Sequence, residues 1–218
     1  MRENLRCGKW VAAALVVLGL AYCCPVAKAA ILGTYVDAST STNTAPLSAF
    51  AGSQVHTDQK WWDRPLGGFN LNNNTVIEAT LSEDTPVITT TVTGLTSGEY
   101  AVYVLYWTFL GSADKDQGIA AALGADPLVE YWRTDGVSFS TGIKHPDTTT
   151  TELYQVKIGT FTGTSFAVNV DHAGSSLSGV SDERTWYDGV AYVEIPEPAM
   201  IGALAIFPVL VCRRRCRR

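Results

Sequence analysis

Between Ala30 and Ile195 the sequence has no cysteine; Cys7, Cys23 and Cys24 stand near its start, and Cys212 and Cys216 near its end. The central segment therefore excludes disulfide staples, thiolate nucleophiles, zinc–thiolate sites and iron–sulfur clusters. Charge is scarce too, at 17% of residues against 46% hydrophobic, with a formal net charge of -5. Positive charge is scarcest in the middle. Only Lys60, Arg64, Lys115, Arg133, Lys144, Lys157 and Arg184 lie there, and the 21 acids less Glu3 and Glu197 leave nineteen, so residues 30–195 carry -12. Nucleic acid is excluded as a partner, because phosphate recognition needs a basic surface. An acidic polymer is repelled unless a divalent cation intervenes. Catalytic signatures are also missing. His56, His145 and His172 show no metal-ligand spacing, and there is no G-x-S-x-G elbow or phosphate-cradling loop. The carboxylates allow a glycosidase pair, but such a pair is defined by a distance in space.

The ends supply what the middle lacks. Arg2, Arg6 and Lys9 precede an apolar run from Trp10 to Leu20, and Ala27-Lys28-Ala29 follows. This is the form of a secretory signal, residues 1–29, cut by signal peptidase after Ala29. The run is too short to favour a permanent membrane span. A lipoprotein signal at Cys23 or Cys24 is the competing reading, with Tyr22 where a small residue is needed. At the other end, Pro196, Glu197 and Pro198 lead into an apolar segment, residues 199–212, and then Arg213, Arg214, Arg215, Arg217 and Arg218. As a helix that segment reaches about 21 Å, against about 30 Å of hydrocarbon. The arginines snorkel into headgroups and hold the end on the cytoplasmic side. Pro208 kinks the run, which lipid-embedded helices tolerate. The plainer alternative is a short core helix with a solvated basic tail.

Residues 196–218 resemble the PEP-CTERM sorting signal of bacterial exported proteins, whose members also carry an N-terminal signal peptide. The resemblance implies transient insertion in the inner membrane, recognition by an exosortase-type enzyme, removal of the segment, and delivery to the cell surface or extracellular matrix. It implies nothing about the activity of the segment it carries.

Residues 30–195 read as strands: Ile31–Asp37, Thr75–Leu81, Val87–Val92, Tyr100–Trp107, Ile119–Leu123, Tyr154–Phe161, Ser165–Val170 and Tyr187–Ile195. Thr75–Leu81 alternates, with Val76, Glu78 and Thr80 on one parity and Ile77, Ala79 and Leu81 on the other. Tyr100–Trp107 is apolar at every position, as in a central strand covered on both faces. Gly163-Thr164 reads as a hairpin turn. Short strands, glycine-containing turns and no long helical period predict an all-β fold, an antiparallel β-sandwich. A jelly roll is preferred, with an immunoglobulin-like sandwich second.

Val92 to Val104 resembles the hairpin that leads into a central strand of galactose-binding-like and carbohydrate-binding jelly rolls. Trp186 to Ile195 is similar to their closing strand, where an Asp-Gly pair precedes alternating apolar residues. The resemblance implies a glycan ligand, and a structural calcium helped by Asp188 at the head of the last strand.

Two places offer chemistry. Adjacent strand residues face opposite ways, so at least one of Trp61 and Trp62 is exposed or in a loop. With Arg64 and Asp188 they form a candidate glycan platform, since exposed aromatics stack on sugars while charged groups bond hydroxyls. The competing reading tucks one indole over the end of the core. Trp107 and Trp132 read as core residues. Asp114 and Asp116 alternate before Gly118 as in calcium loops, without the distal Glu of an EF-hand. They read equally as solvated turn carboxylates. No cofactor is otherwise implied. The leading expectation is a non-enzymatic surface or matrix protein with a structural or adhesive role. A carbohydrate-binding module for extracellular polysaccharide comes second, and a hydrolase of matrix sugars third.

Overall fold

The computed structural model describes residues 33–50, 58–65, 75–80, 84–111, 117–145, 150–174 and 184–196. The expected signal peptide, residues 197–218 of the sorting segment, Asp114, Asp116 and His56 lie outside them. Among the described residues no helix is long and apolar enough to cross a membrane.

Among the described residues twelve strands form two sheets. They are β1 (Thr34–Asp37), β2 (Thr44–Ala45), β3 (Trp62–Pro65), β4 (Thr75–Thr80), β5 (Ile88–Val92), β6 (Gly98–Phe109), β7 (Ile119–Leu123), β8 (Val129–Tyr131), β9 (Phe139–Lys144), β10 (Thr151–Gly163), β11 (Phe166–His172) and β12 (Arg184–Glu194). The larger sheet runs β3-β4-β12-β6-β10-β9, with β1 also on β12; the smaller runs β2-β5-β11-β7-β8. Every strand pair is antiparallel. Without β1, β2, β3 and β9, two four-stranded sheets remain, β4-β12-β6-β10 and β5-β11-β7-β8. Numbered along the chain, these eight strands lie in the orders 1-8-3-6 and 2-7-4-5, the arrangement of a jelly roll.

Two turns differ from expectation. β10 and β11 lie in different sheets, so Gly163-Thr164 is an arch between layers and not a hairpin. The same holds for the Val92–Val104 segment, because β5 and β6 also lie in opposite sheets. The two arches meet where the Leu95 N–H donates to the Thr164 carbonyl at 3.0 Å. An apolar run on each side of a glycine fits either connection; which sheet each strand joins is settled by distant partners.

The inner layer holds Ile77, Val102, Val104, Tyr106, Tyr187 and Val190 from the larger sheet against Ile88, Ile119, Ala121, Phe166, Val168 and Val170 from the smaller. A second apolar cluster covers the opposite face of the larger sheet: Val76, Ala101, Tyr103, Leu105, Trp107, Leu153 and Ala191. β6 thus alternates between two buried faces, as its unbroken apolar run predicts.

One irregularity positions the site. In β12 the first half pairs with β4, Tyr187 opposite Ile77, and the second half with β1, Gly189 opposite Asp37. Against β6, Tyr187 faces Tyr106 and Gly189 faces Leu105, which leaves Asp188 as the extra residue of a bulge. Asp188 therefore lies within β12 and not at its head. Gly189 makes the change of partner possible, because a Cβ there would stand 2.4 Å from the Val36 carbonyl oxygen.

Candidate functional site

The adjacent tryptophans divide between the two faces. Trp61 is fully buried in the inner core, and its indole N–H donates to the Pro86 carbonyl at 2.7 Å. It is a packing residue and leaves the proposed platform. Trp62 is half-buried on the outer face. Trp107 is buried in the second cluster and Trp132 against Gly118, as expected of core residues.

Strand register builds the outer face around Trp62. Trp62 pairs with Glu78 across β3 and β4, Glu78 with Trp186 across β4 and β12, and Trp186 with Trp107 across β12 and β6. Glu78 is fully buried, yet both its oxygens are bonded: Oε2 accepts from Arg64 Nη1 at 2.6 Å and Oε1 from Arg184 Nη1 at 3.0 Å. These are charge-assisted bonds, roughly twice as strong as neutral ones. The guanidinium carbon of Arg64 lies 5.1 Å from the Trp62 ring centre and 5.8 Å from that of Trp186. Both distances are within cation–π range. The Arg64 and Arg184 side chains keep 20% and 31% of their surface in water. Glu78 is enclosed on the outer face with both oxygens engaged, so it positions the arginines.

Asp188 stands apart from this group. It is 1% exposed, and neither carboxylate oxygen has a well-formed hydrogen bond. Burial, then the neighbouring Asp37 carboxylate, push it up to about 8, while the nearby Trp107 indole and Tyr35 hydroxyl offset this only in part. The Tyr35 hydroxyl reaches Asp37 Oδ1 at 2.7 Å and the Asp188 carbonyl at 3.1 Å. Burial, then Asp188, likewise push Tyr35 upward. A side chain so enclosed does not touch a sugar, so Asp188 also leaves the platform. Its calcium reading stands differently. Asp37 and Asp188 are oxygen donors of the right kind, but calcium takes about 6–8 oxygens. Among the described residues no three His, Cys, Asp or Glu side chains come together. The pair is equally served by a proton.

His145 is buried, and His172 Nδ1 lies 3.0 Å from Asp171 Oδ1 and 2.9 Å from Thr85 Oγ1. Two surface concavities, of about 410 and 370 Å³, are lined respectively by residues around Phe161 and around Tyr192, and neither includes Trp62, Arg64 or Asp188. Of the four residues expected to form the platform, Trp62 and Arg64 are together. Glu78, Arg184 and Trp186 join them, though sequence reading did not select them. The signal for Glu78 was present: it is an acid between Val76 and Thr80 on the parity opposite the core residues.

The chain matches no family model and no curated protein sequence. Two solved structures show a distant likeness. One is a family 115 4-O-methyl-α-glucuronidase with specificity for decorated arabinogalactans, at TM-score 0.37 and 11% identity, over 59% of this chain and 15% of that one. Another is an exo-β-1,3-galactanase from Phanerochaete chrysosporium with galactose, at TM-score 0.39 and 10% identity, over 74% of this chain and 30% of that one. The chain thus spans less than a third of either protein.

Proposed function

We propose that this is an exported, non-enzymatic protein of the cell surface or extracellular matrix, whose sandwich adheres to polysaccharide through the outer face of its larger sheet. Export rests on the signal-like residues 1–29, and sorting on the PEP-CTERM-like residues 196–218. The observation that carries adhesion is the cluster of Trp62, Arg64, Arg184 and Trp186, partly open to solvent and locked by the buried Glu78. Indole surface and guanidinium N–H groups held in fixed positions are what a sugar's apolar face and hydroxyls require. Fixing them beforehand lowers the ordering cost of binding.

A glycan array probed with the purified protein, with and without calcium, tests adhesion. Binding to at least one polysaccharide is expected, weakened by Trp62→Ala. A blank array in both conditions overturns it, and sugar release from a bound polysaccharide overturns the non-enzymatic assignment. Deleting residues 196–218 should change where the protein accumulates; unchanged fractionation overturns sorting.

A further inference from the structure

The concavity around Phe161 lies where β7 and β11 of the smaller sheet meet β10 of the larger. It is far along the larger sheet from Trp62, since β4, β12 and β6 stand between β3 and β10. Its volume of about 410 Å³ is within the range of small-molecule sites. Leu123, Phe161 and Phe166 give it an apolar wall, and Asp126, Thr160 and Ser165 add polar groups. Leu123 and Phe166 are anchored in the core, Phe161 is half-buried, and the three polar residues are exposed. The Phe161 ring centre lies 5.7 Å from that of Phe166. Gly163 leaves room for the ring, because a Cβ there would stand 2.7 Å from Phe161 Cζ. The turn that carries Asp126 is pinned as well. Gly124, at φ 61°, donates its N–H to the Ala167 carbonyl at 2.9 Å and accepts from Asn169 Nδ2 at 2.7 Å. The Asp126 N–H donates to the Leu123 carbonyl at 3.2 Å. Wall and turn are thus set before a ligand arrives, which lowers the ordering cost of binding.

Charge selects the ligand. Among the described residues that line the cleft Asp126 alone is charged, and none is basic. Residues 30–195 carry -12, so the surrounding field draws in cations and repels anions. We propose that this cleft is a second glycan site, which takes a sugar bearing a free ammonium group. The apolar face of the sugar ring covers Phe161, its hydroxyls meet those of Thr160 and Ser165, and its ammonium group donates to the Asp126 carboxylate. The ligand class is an amino-sugar polysaccharide. The site goes beyond adhesion through the outer face and does not depend on Trp62 or its neighbours.

Calorimetric titration of the protein compares three short oligosaccharides of one backbone: with free ammonium groups, with the same amines acetylated, and with hydroxyls in their place. The ammonium form should bind roughly two- to fivefold more tightly than the other two, the scale of an exposed ion pair. The preference should fade as salt rises. It should vanish in Asp126→Asn and persist in Trp62→Ala, while Phe161→Leu, which keeps an apolar side chain, should weaken the ammonium form. Equal binding of all three overturns the proposal, and so does a preference that Asp126→Asn leaves intact. Trilysine binding as tightly as the ammonium oligosaccharide also overturns it, because the sugar ring then contributes nothing. A positive glycan array that Trp62→Ala does not weaken counts against the outer face and leaves this cleft standing. The comparison among ligands needs no variant, so a misfolded Phe161→Leu leaves the test intact.

Discussion

Both faces of the larger sheet bury side chains, but by different means. The inner face is sealed by another sheet and filled with aliphatic and aromatic side chains, with a hydroxyl chain in which Tyr187 bonds Thr90 at 2.7 Å and Thr44 bonds Thr90 at 3.0 Å. The outer face encloses carboxylates. Glu78 is matched by two arginines, whereas Asp188 stands near another carboxylate, an indole and a phenol. Apolar burial stabilises in proportion to area. A buried charge stabilises only when its partners are in place. The inner face thus tolerates small changes gradually, and the outer face depends on particular atoms.

The adjacent tryptophans give the sharpest way to break this comparison. Trp61→Ala should cost about 3–5 kcal/mol, the range for deleting a buried indole, measured by urea unfolding. A loss under about 1 kcal/mol would mean that the inner face is not the main core. Next comes Glu78→Gln, nearly the same in volume. It leaves two guanidinium groups without their shared counter-charge and should cost about 3 kcal/mol, the low end for a broken buried pair because the arginines keep contact with water. A neutral result would remove the claim that the outer face depends on charge matching.

Asp188→Asn separates the two buried carboxylates. A folded carboxyl raised to about 8 from an ordinary 3.8 lets the unfolded chain ionise first. Parent stability should therefore be greatest at acid pH, fall as pH rises from about 4 to about 8, and level off above that. The variant cannot ionise there and should lack this decline, so its melting temperature overtakes the parent's toward pH 8. Parallel profiles would show that Asp188 is not strained. Calcium that restores the alkaline stability of the parent, but not of the variant, would place the cation on the Asp37–Asp188 pair. The smallest effect is expected for Trp62→Ala, about 1 kcal/mol, since the indole is only half-buried and its stacking on Arg64 is worth about 0.5–1 kcal/mol. A loss matching that of Trp61→Ala would erase the distinction between the faces.

Much of this architecture was legible because strand parity is local. The two-sided burial of β6 followed from its unbroken apolar run, and the split of Val76, Glu78 and Thr80 from Ile77 and Ala79 followed from alternation. β2 and β8 were not legible, with two and three residues each. β9 was hidden by polar residues and by Gly142, which sits at φ 76°. At the site, parity correctly sent Trp61 and Trp62 to opposite faces. It could not supply Arg184 or Trp186, more than a hundred residues away and brought opposite by β12 register. Asp188 was misplaced for a related reason. The sequence shows an Asp-Gly pair, but only the approach of β1 turns it into a buried bulge.

That approach bears on how the molecule carries force. Thr34 lies opposite Tyr192 and Asp37 opposite Gly189, so the start of β1 and the end of β12 emerge at one pole. Tension through both ends would peel this short ladder one pair at a time, opening from the pole inward, because antiparallel bonds lie across the strands. Held by the C-terminal end alone, as a surface anchor would hold it, the protein transmits load through β12, which is bonded along both edges to β6 on one side and to β4 and β1 on the other. The short β1 is then outside the path of the load.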